Sequence, residues 1–269
     1  MKNPVVLITG AANGIGRHFV ESNQHQFRFV ATDLKLDQLR EVHGPDRPGM
    51  LLLPLNVTQE SAWRDALDKA VETFGQIDIL INNAGVIMPA FITDATVEQM
   101  HAQIDVNTKG VMLGTMLGAK LMEKQGHGHI INLASLGGVA PVTGISFYSA
   151  SKFAVRGFSL AAGLELQHKN IDVTVICPDL VKTAMFDIQL DMPEVTPITF
   201  SGPQNTLSVE DLNQVLLRAI RQKPPEITYP LGRGILAKLA SAFPRLTGRM
   251  QTIMARKGAK NIKELQRAK

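Results

Sequence analysis

Two hydrophobic periods alternate along the chain from its start to Pro178. Short apolar runs rich in branched side chains have the pattern of strands buried on both faces, and they cover 5–10, 27–33, 50–57, 77–85, 128–135 and 172–178. Segments with helical spacing lie between them, at 14–25, 59–74, 96–107, 108–124 and 148–168. This alternation predicts an α/β fold, a doubly wound parallel sheet with helices on both faces.

The pattern weakens after Pro178. Residues 184–206 contain prolines, methionines and few helix signals, which predicts a flexible loop over a substrate. A helix beginning at Ser208 and a strand at 226–230 follow. We therefore expect a catalytic domain over 1–232 and a basic amphipathic helical extension over 233–269.

Composition is that of a globular protein in a reducing compartment. In 269 residues, 45% are hydrophobic and 19% are charged, which allows a large core. The one cysteine, Cys177, excludes an intrachain disulfide and indicates a cytoplasmic location. We see no signal-peptide pattern before "PVVLITG", and no apolar run approaches the roughly 18 residues that a membrane span requires.

Positive charge is concentrated at the end of the sequence. The segment 233–269 contains ten Lys or Arg and one acid, whereas the segment 1–232 carries a net charge of −5. Apolar residues follow helical spacing on both sides of Pro244, at Leu236, Leu239, Ala240 and Phe243, then at Leu246, Met250, Ile253 and Met254. We expect two short helices whose apolar face is buried in the protein. Contact with an anionic membrane surface is the alternative.

The stretch "TGAANGIG", residues 9–16, follows the first strand and has the composition of a phosphate-binding loop. Gly10, Gly14 and Gly16 allow a tight turn, and a helix beginning near Gly14 would offer free N–H groups to a pyrophosphate. The spacing differs from the general G-x-G-x-x-G pattern, so a turn that binds nothing is the alternative. Asp33 ends the second strand, close to the offset from the loop at which a carboxylate would bond an adenosine ribose and repel the extra phosphate of NADP. This predicts NAD.

"YSASK", residues 148–152, places Tyr148 and Lys152 on one face of a helix. A nearby ammonium favours a phenolate, so we expect Lys152 to lower the pKa of Tyr148. The phenol would then act as a general acid or base near neutral pH.

These motifs together resemble the short-chain dehydrogenase/reductase family. The loop at 9–16, "NNAG" at 82–85, Asn107 in "VNTKG", Ser135 in "NLAS" and "YSASK" stand in the family's order. The resemblance covers about residues 4–183, and 208–230 by pattern only. It implies a single-domain Rossmann-type fold.

The resemblance also implies a cofactor site. Asn13, Gly14 and Ile15 would surround the pyrophosphate near Gly10, with Asp33 on the ribose. The remaining cofactor-binding residues would be Asn56 and Val57 at the adenine, Asn83, Ala84 and Gly85 at the cofactor's middle, and Pro178 and Thr183 at the nicotinamide, together with Tyr148 and Lys152. Two positions depart from the family, which usually has Asp at Asn56 and Gly at Asp179.

The implied activity is hydride transfer between NAD(H) and an alcohol or ketone. Tyr148 would be the acid/base, Ser135 would position the substrate oxygen, and Asn107 would anchor a water that relays protons to Lys152. Apolar residues at 185–192 favour an apolar substrate. A non-catalytic dinucleotide-binding redox sensor and a membrane-surface adaptor are the alternatives.

Partners follow from the same reasoning. The family often forms a homodimer or homotetramer through the helices that contain Met112, Met116, Met122 and Tyr148. We expect no nucleic acid partner. The seven histidines have no ligand spacing, so we predict no metal site and expect His127 and His129 to be exposed.

Overall fold

Seven parallel strands form one sheet in the computed structural model, which describes residues 3–202 and 206–267 apart from the side chains of Pro244, Leu246, Thr247, Arg249 and Met250. The strand order is β3-β2-β1-β4-β5-β6-β7. The strands are β1 (Val5–Thr9), β2 (Arg28–Asp33), β3 (Met50–Pro54), β4 (Ile79–Asn82), β5 (Gly128–Leu133), β6 (Ile171–Pro178) and β7 (Glu226–Tyr229). Each is parallel to its neighbours, so all carboxyl ends lie at one edge.

Ten helices connect or follow the strands in the described residues. They are α1 (Gly14–Asn23), α2 (Leu36–His43), α3 (Glu60–Phe74), α4 (Val97–Ile104), α5 (Gly110–Gln125), α6 (Ser146–Leu166), α7 (Ala184–Leu190), α8 (Val209–Gln222), α9 (Leu231–Ala242) and α10 (Pro244–Arg267). The predicted doubly wound α/β fold is confirmed.

The two faces of the sheet are covered by different helices because side chains alternate along each strand. Val6 and Ile8 of β1 belong to a core that includes Phe19 of α1, whose ring packs on Phe27 and Phe29. Val5 and Leu7 face the other side, where Trp63 of α3 is fully buried. The Trp63 indole donates to the Val57 carbonyl over 3.0 Å. These contacts hold α1 and α3 against the sheet, and both helices begin near its carboxyl edge.

The segment after Pro178 is more ordered than its sequence predicts. Within the range predicted as a flexible loop, α7 is helical and a 3₁₀ turn covers Thr199–Ser201. Phe186, Leu190 and Phe200 are buried, each at most 4% exposed. The reason is a long-range contact, because the end of α10 packs on these side chains. Residues 203–205 of the predicted loop lie outside the described residues.

Helices α9 and α10 are amphipathic, but the prediction that their apolar face is buried was wrong for α9. Leu236, Leu239 and Phe243 are 55%, 54% and 58% exposed, because a cleft opens beside them. The prediction was also wrong for Ile253 of α10, which belongs to the same predicted stripe and is 69% exposed. The side chains of Leu246 and Met250, two further residues of this stripe, lie outside the described ones. No helix in the described part of the chain is long and apolar enough to cross a membrane.

The burial of His129 also differs from the prediction. It was expected at the surface but is 2% exposed, because it lies on β5 inside the sheet. Its Nε2 is 2.9 Å from Oγ1 of Thr174 on β6.

Candidate active site

A cleft of about 970 Å³ runs along the carboxyl edge of the sheet. It lies where β1 and β4 are neighbours, the point at which the strand order reverses and open α/β sheets bind ligands. The predicted residues that line it are Gly10, Asn13, Gly14, Ile15, Asp33, Asn56, Val57, Asn83, Ala84, Gly85, Ser135, Tyr148, Lys152, Pro178 and Thr183. The structure therefore brings together every predicted site residue except Asn107, which lies behind the cleft wall.

The glycine loop after β1 has the backbone that only glycine adopts easily. Gly10 and Gly14 have φ of +68° and +52°. A Cβ at Gly16 would lie 2.3 Å from the Gly10 carbonyl oxygen, so the helix packs directly on the loop. Asn83 holds this turn, because its Nδ2 donates to the carbonyls of Thr9 and Gly10 over 2.8 and 3.1 Å.

Helix α1 begins at this loop with its N-terminus facing the cleft. Asn13 is the N-cap residue, but its side chain makes no capping hydrogen bond, so amides of the first turn are left for a ligand. Together with the positive end of the helix dipole, these N–H groups suit a pyrophosphate. The loop, the free amides and the length of the cleft fit a dinucleotide.

The adenosine end of the cleft contains one carboxylate and one amide. Asp33 accepts a hydrogen bond from the Ala12 amide over 3.0 Å, which leaves its other oxygen near Lys35 N at 3.5 Å. Asn56 is turned towards its own loop, where its Oδ1 accepts from the amide and hydroxyl of Thr58. Both residues line the cleft.

Tyr148 lies in the first turn of α6, opposite Ser135, which follows β5. Burial raises the pKa of Tyr148 to about 12, and a hydrogen bond with Ser135 partly offsets this rise. The expectation that the pKa of Tyr148 is lowered was therefore wrong, because burial outweighs the effect expected from the Lys152 charge. Surrounding apolar atoms disfavour the phenolate more strongly than nearby polar groups favour it.

Lys152 is 4% exposed, and its Nζ lies 5.7 Å from the centre of the Tyr148 ring. The ammonium donates to the Leu133 carbonyl over 2.8 Å. Burial lowers the pKa of Lys152 to about 8. At neutral pH the side chain is still mostly protonated, so it presents a positive charge beneath the phenol ring.

Asn107 lies in a single π-helical turn, Asp105–Lys109, between α4 and α5. Such turns often occur at functional sites. Its side chain is fully buried, accepting from the Val86 amide and donating to the Val86 carbonyl and to Ser151 Oγ. The Asn107 side chain thus ties the segment after β4 to helix α6.

Ser151 is a residue that sequence reasoning missed. It is fully buried, and its hydroxyl donates to the Tyr148 carbonyl over 2.7 Å while accepting from Asn107. Its position within "YSASK", one helical turn after Tyr148, was the only available signal. Thr9 was also missed, and its Oγ1 accepts from the amides of Asn83 and Ala84 over 3.0 Å each.

The substrate half of the cleft is mostly apolar and includes the C-terminal helices. Met185 and Ile188 of α7 line it, as do Leu236 and Leu239 of α9 and Phe243, which follows α9. Asp179, the departure from the family pattern, forms an ion pair with Arg233 of α9, with Nη2 3.2 Å from Oδ1. This pair neutralises the added carboxylate and ties α9 to the end of β6. No group of three or more metal-ligating side chains occurs in the described residues.

Comparison with known proteins agrees with this architecture. A sequence model of the family "short chain dehydrogenase" matches residues 4–193. The "3-alpha-(or 20-beta)-hydroxysteroid dehydrogenase" of Mycobacterium tuberculosis (strain ATCC 25618 / H37Rv) is 36% identical over 184 residues, which is 68% of this chain and 71% of that protein.

Solved structures share the fold. The 3-ketoacyl-(acyl-carrier-protein) reductase from Brucella melitensis, complexed with NADH, aligns with a TM-score of 0.75 and 23% identity over 85% of this chain and 97% of that chain. ElxO with NADP bound aligns with a TM-score of 0.74 and 22% identity over 84% and 97%. Such proteins bind either form of the nicotinamide dinucleotide.

Proposed function

The chain belongs to the short-chain dehydrogenase family and is an oxidoreductase that binds a nicotinamide dinucleotide. On that premise we propose that it transfers a hydride between NAD(H) and an alcohol or ketone with an apolar frame. The observation that carries this proposal is the pairing of Tyr148 with Ser135 in the wall of a cleft that also contains the phosphate loop.

The proton chemistry follows from the shifted pKa values of Tyr148 and Lys152. With a pKa of about 12, Tyr148 is protonated at neutral pH and is ready to donate its proton to a carbonyl oxygen. Ser135 donates to the same oxygen and fixes its position, and the Lys152 ammonium stabilises the phenolate that remains. In the reverse direction the phenolate form of Tyr148, stabilised by the Lys152 ammonium, accepts the proton of an alcohol while the hydride leaves the same carbon. The positive charge of Lys152 helps most below its pKa of about 8.

The cofactor would lie between the phosphate loop and α6. When bound, its nicotinamide ring supplies or accepts the hydride. Gly14 and Ile15 would hold the pyrophosphate, and Thr183 the nicotinamide end. Asp33 supports NAD over NADP because a second negative group beside its carboxylate would be repelled. Asn107 and Ser151 would hold Tyr148 and Lys152 in place through the start of α6.

The substrate proposal is supported by the apolar wall that α7 and α9 form. A cleft of this kind favours a secondary alcohol or ketone on a hydrophobic skeleton. The relative named as a hydroxysteroid dehydrogenase makes a steroid the first skeleton to test. The buried free Cys177 is compatible with the expected cytoplasmic location.

Two proposed contacts concern the surface. Met116 and Leu164 are 42% and 78% exposed on α5 and α6, which supports a homodimer or homotetramer through these helices.

Leu231 and Ile235 are 68% and 52% exposed on α9, do not line the cleft, and precede a strongly basic helix. A symmetric dimer through α9 would bring two positively charged segments together, so we propose an anionic membrane surface as the partner of this face.

The activity is tested by a screen of alcohols and ketones, including hydroxysteroids, that follows NADH absorbance. With the best substrate, Tyr148→Phe should lower kcat by about 10²–10⁴-fold, with little change in NADH affinity because the ring is kept. The second tyrosine of the chain, Tyr229, provides the matched control, and Tyr229→Phe should keep near-normal turnover. Normal turnover in Tyr148→Phe would exclude the proposed acid/base. Tight NADH binding without turnover of any substrate would favour the redox sensor.

A further inference from the structure

One face of α10 makes two different sets of contacts along its length. Its first part reaches the cleft, which Gln251 and Met254 help to line. Its last part lies against residues 184–202, which include α7 and the 3₁₀ turn. These contacts are made by Gly258, Asn261, Ile262 and Gln266, which follow Met254 at helical spacing.

The helix backbone touches the loop backbone at Gly258. A Cβ at this position would lie 1.6 Å from the Pro197 carbonyl oxygen, so a side chain cannot be accommodated without moving one segment. Ile262, fully buried, packs with Phe186, Leu190 and Phe200. Gln266 donates to the Leu190 carbonyl over 3.1 Å.

Asn261 makes the central polar contact of this face. Its Nδ2 donates to the carbonyls of Phe200 and Gly202 over 2.8 and 3.2 Å, and the side chain is 8% exposed. These carbonyls stand at the end of the 3₁₀ turn, where Thr199 and Ser201 line the cleft. Because a buried carbonyl without a donor is costly, the two bonds fix the end of this turn.

We propose that Asn261 is a positioning residue of the substrate site. It holds residues 184–202 in the conformation that shapes the apolar end of the cleft, although it lies outside the cleft itself. The proposal rests on the proposed function for its kinetic consequence, but its structural part does not depend on a substrate. The phosphate loop does not take part in the contact of Asn261 with residues 200–202, so dinucleotide binding should not depend on Asn261.

Hydrogen exchange measured by mass spectrometry tests the structural part on the full chain. In Asn261→Ala, amides within 184–202 should exchange roughly tenfold faster, whereas those of α1 should not change. The matched control is Asn213→Ala on α8, which removes another 8%-exposed amide that accepts a hydrogen bond from Asn23. That control should lower thermal stability without changing exchange in 184–202.

Steady-state kinetics tests the functional part. Asn261→Ala should raise KM for the carbonyl or alcohol by roughly tenfold, with a smaller change in kcat and an NADH Kd within about twofold of the wild type. Because Asn261→Ala removes buried bonds and can prevent folding, Gln266→Ala serves as a second variant at an exposed position. It should shift exchange and KM in the same direction by a smaller factor.

Exchange in 184–202 that stays at the wild-type rate in both variants would overturn the proposal, whatever the activity. Faster exchange with an unchanged KM would show that the contact is structural only. Equal losses of NADH binding and substrate binding would also contradict it, since the cofactor end of the cleft would then depend on α10. Failure to find any substrate would refute the proposed function and leave the exchange result interpretable.

Discussion

At the scale of single residues, burial decides the protonation of Tyr148 and Lys152. The spacing of "YSASK" predicts that the ammonium favours the phenolate, but surrounding apolar groups raise one pKa to about 12 and lower the other to about 8. The sequence shows which residues share a helix face. It does not show which segments pack over them, so the sign of each pKa shift could not be predicted.

The carboxylate of Asp33 sets our expected cofactor preference. Asp33→Asn removes the charge but keeps an oxygen that can accept from the Ala12 amide. The ratio of NADPH to NADH dissociation constants should fall by about tenfold, corresponding to ~1.4 kcal/mol of lost repulsion. Isothermal titration with both dinucleotides measures this ratio. Asp37→Asn, on the exposed side of α2, should leave it unchanged, and a wild-type protein that binds NADPH as tightly as NADH would contradict the assignment.

His129 should make the fold sensitive to mild acid. Burial lowers its pKa from 6.5 to about 4, with smaller effects of Asp172 and Lys223, so the unfolded chain binds a proton before the folded chain does. Stability should therefore fall as the pH drops from 6.5 to 4, by about 2–3 kcal/mol from this residue.

Urea denaturation at pH 7 and pH 4.5 measures the effect. His129→Gln should reduce the pH dependence, whereas His25→Gln, at an exposed position, should leave it as in the wild type. An identical pH dependence in wild type and His129→Gln would show that other groups cause the acid response.

At the scale of elements, the phosphate loop is a place where backbone geometry requires glycine. The carbonyl of Gly10 and the Asn83 amide both lie within 2.7 Å of where a Cβ at Gly16 would stand. The alternation of strand and helix predicts this turn, because the residues that form it are contiguous in sequence.

Gly16→Ala should separate α1 from the loop it packs against. We expect NADH affinity to fall at least tenfold and stability to fall by about 1–3 kcal/mol, since the added methyl group overlaps backbone. Gly157→Ala on α6 is the control, because nothing lies within 4 Å of its added Cβ. That variant should keep NADH affinity and gain roughly 0.5–1 kcal/mol. Titration calorimetry and thermal denaturation distinguish the two, and unaltered NADH binding in Gly16→Ala would contradict the role of this close contact.

Elements that depend on distant contacts were predicted less well. Helix α7 is stabilised by Ile262, which belongs to the last helix of the chain, and its own segment has few helix signals. Helix α2, Leu36–His43, was not predicted because it is only eight residues long, although Leu36, Leu39 and Val42 follow helical spacing. The π turn at Asn107 interrupts what reads as two ordinary helices. Local periodicity carries no information on such features.

At the scale of the whole molecule, the parallel sheet and a site at its carboxyl edge could be predicted, because alternating strands and helices place the carboxyl ends of all strands at one edge. The surface that covers the apolar face of α9 could not be predicted. Its apolar stripe predicts burial, yet the structure leaves Leu236 and Leu239 more than half exposed. Leu231 and Ile235, which lie outside that stripe, are exposed as well. Amphipathic spacing shows that a helix has an apolar face, but it does not identify what covers that face.

The double variant Leu231→Gln/Ile235→Gln tests the proposed membrane contact. The wild-type protein should co-sediment with vesicles that contain phosphatidylserine, and less so at high salt, because each Lys or Arg near an anionic surface contributes about 1 kcal/mol. The double variant should lose this binding, whereas Leu164→Gln on α6 should keep it.

Light scattering of the same variants decides between a bilayer and a second copy. A loss of oligomer mass in the double variant, without vesicle binding by the wild type, would assign α9 to a subunit interface.

The contact between α10 and the loop at 184–202 also has a consequence for protein synthesis. Asn261 follows Phe200 by 61 residues, and ribosomes add about 5–20 residues per second. The loop therefore leaves the ribosome several seconds before the helix that holds it. The phosphate loop and Tyr148 come earlier still. A nascent chain would thus complete its dinucleotide half first and its substrate half last.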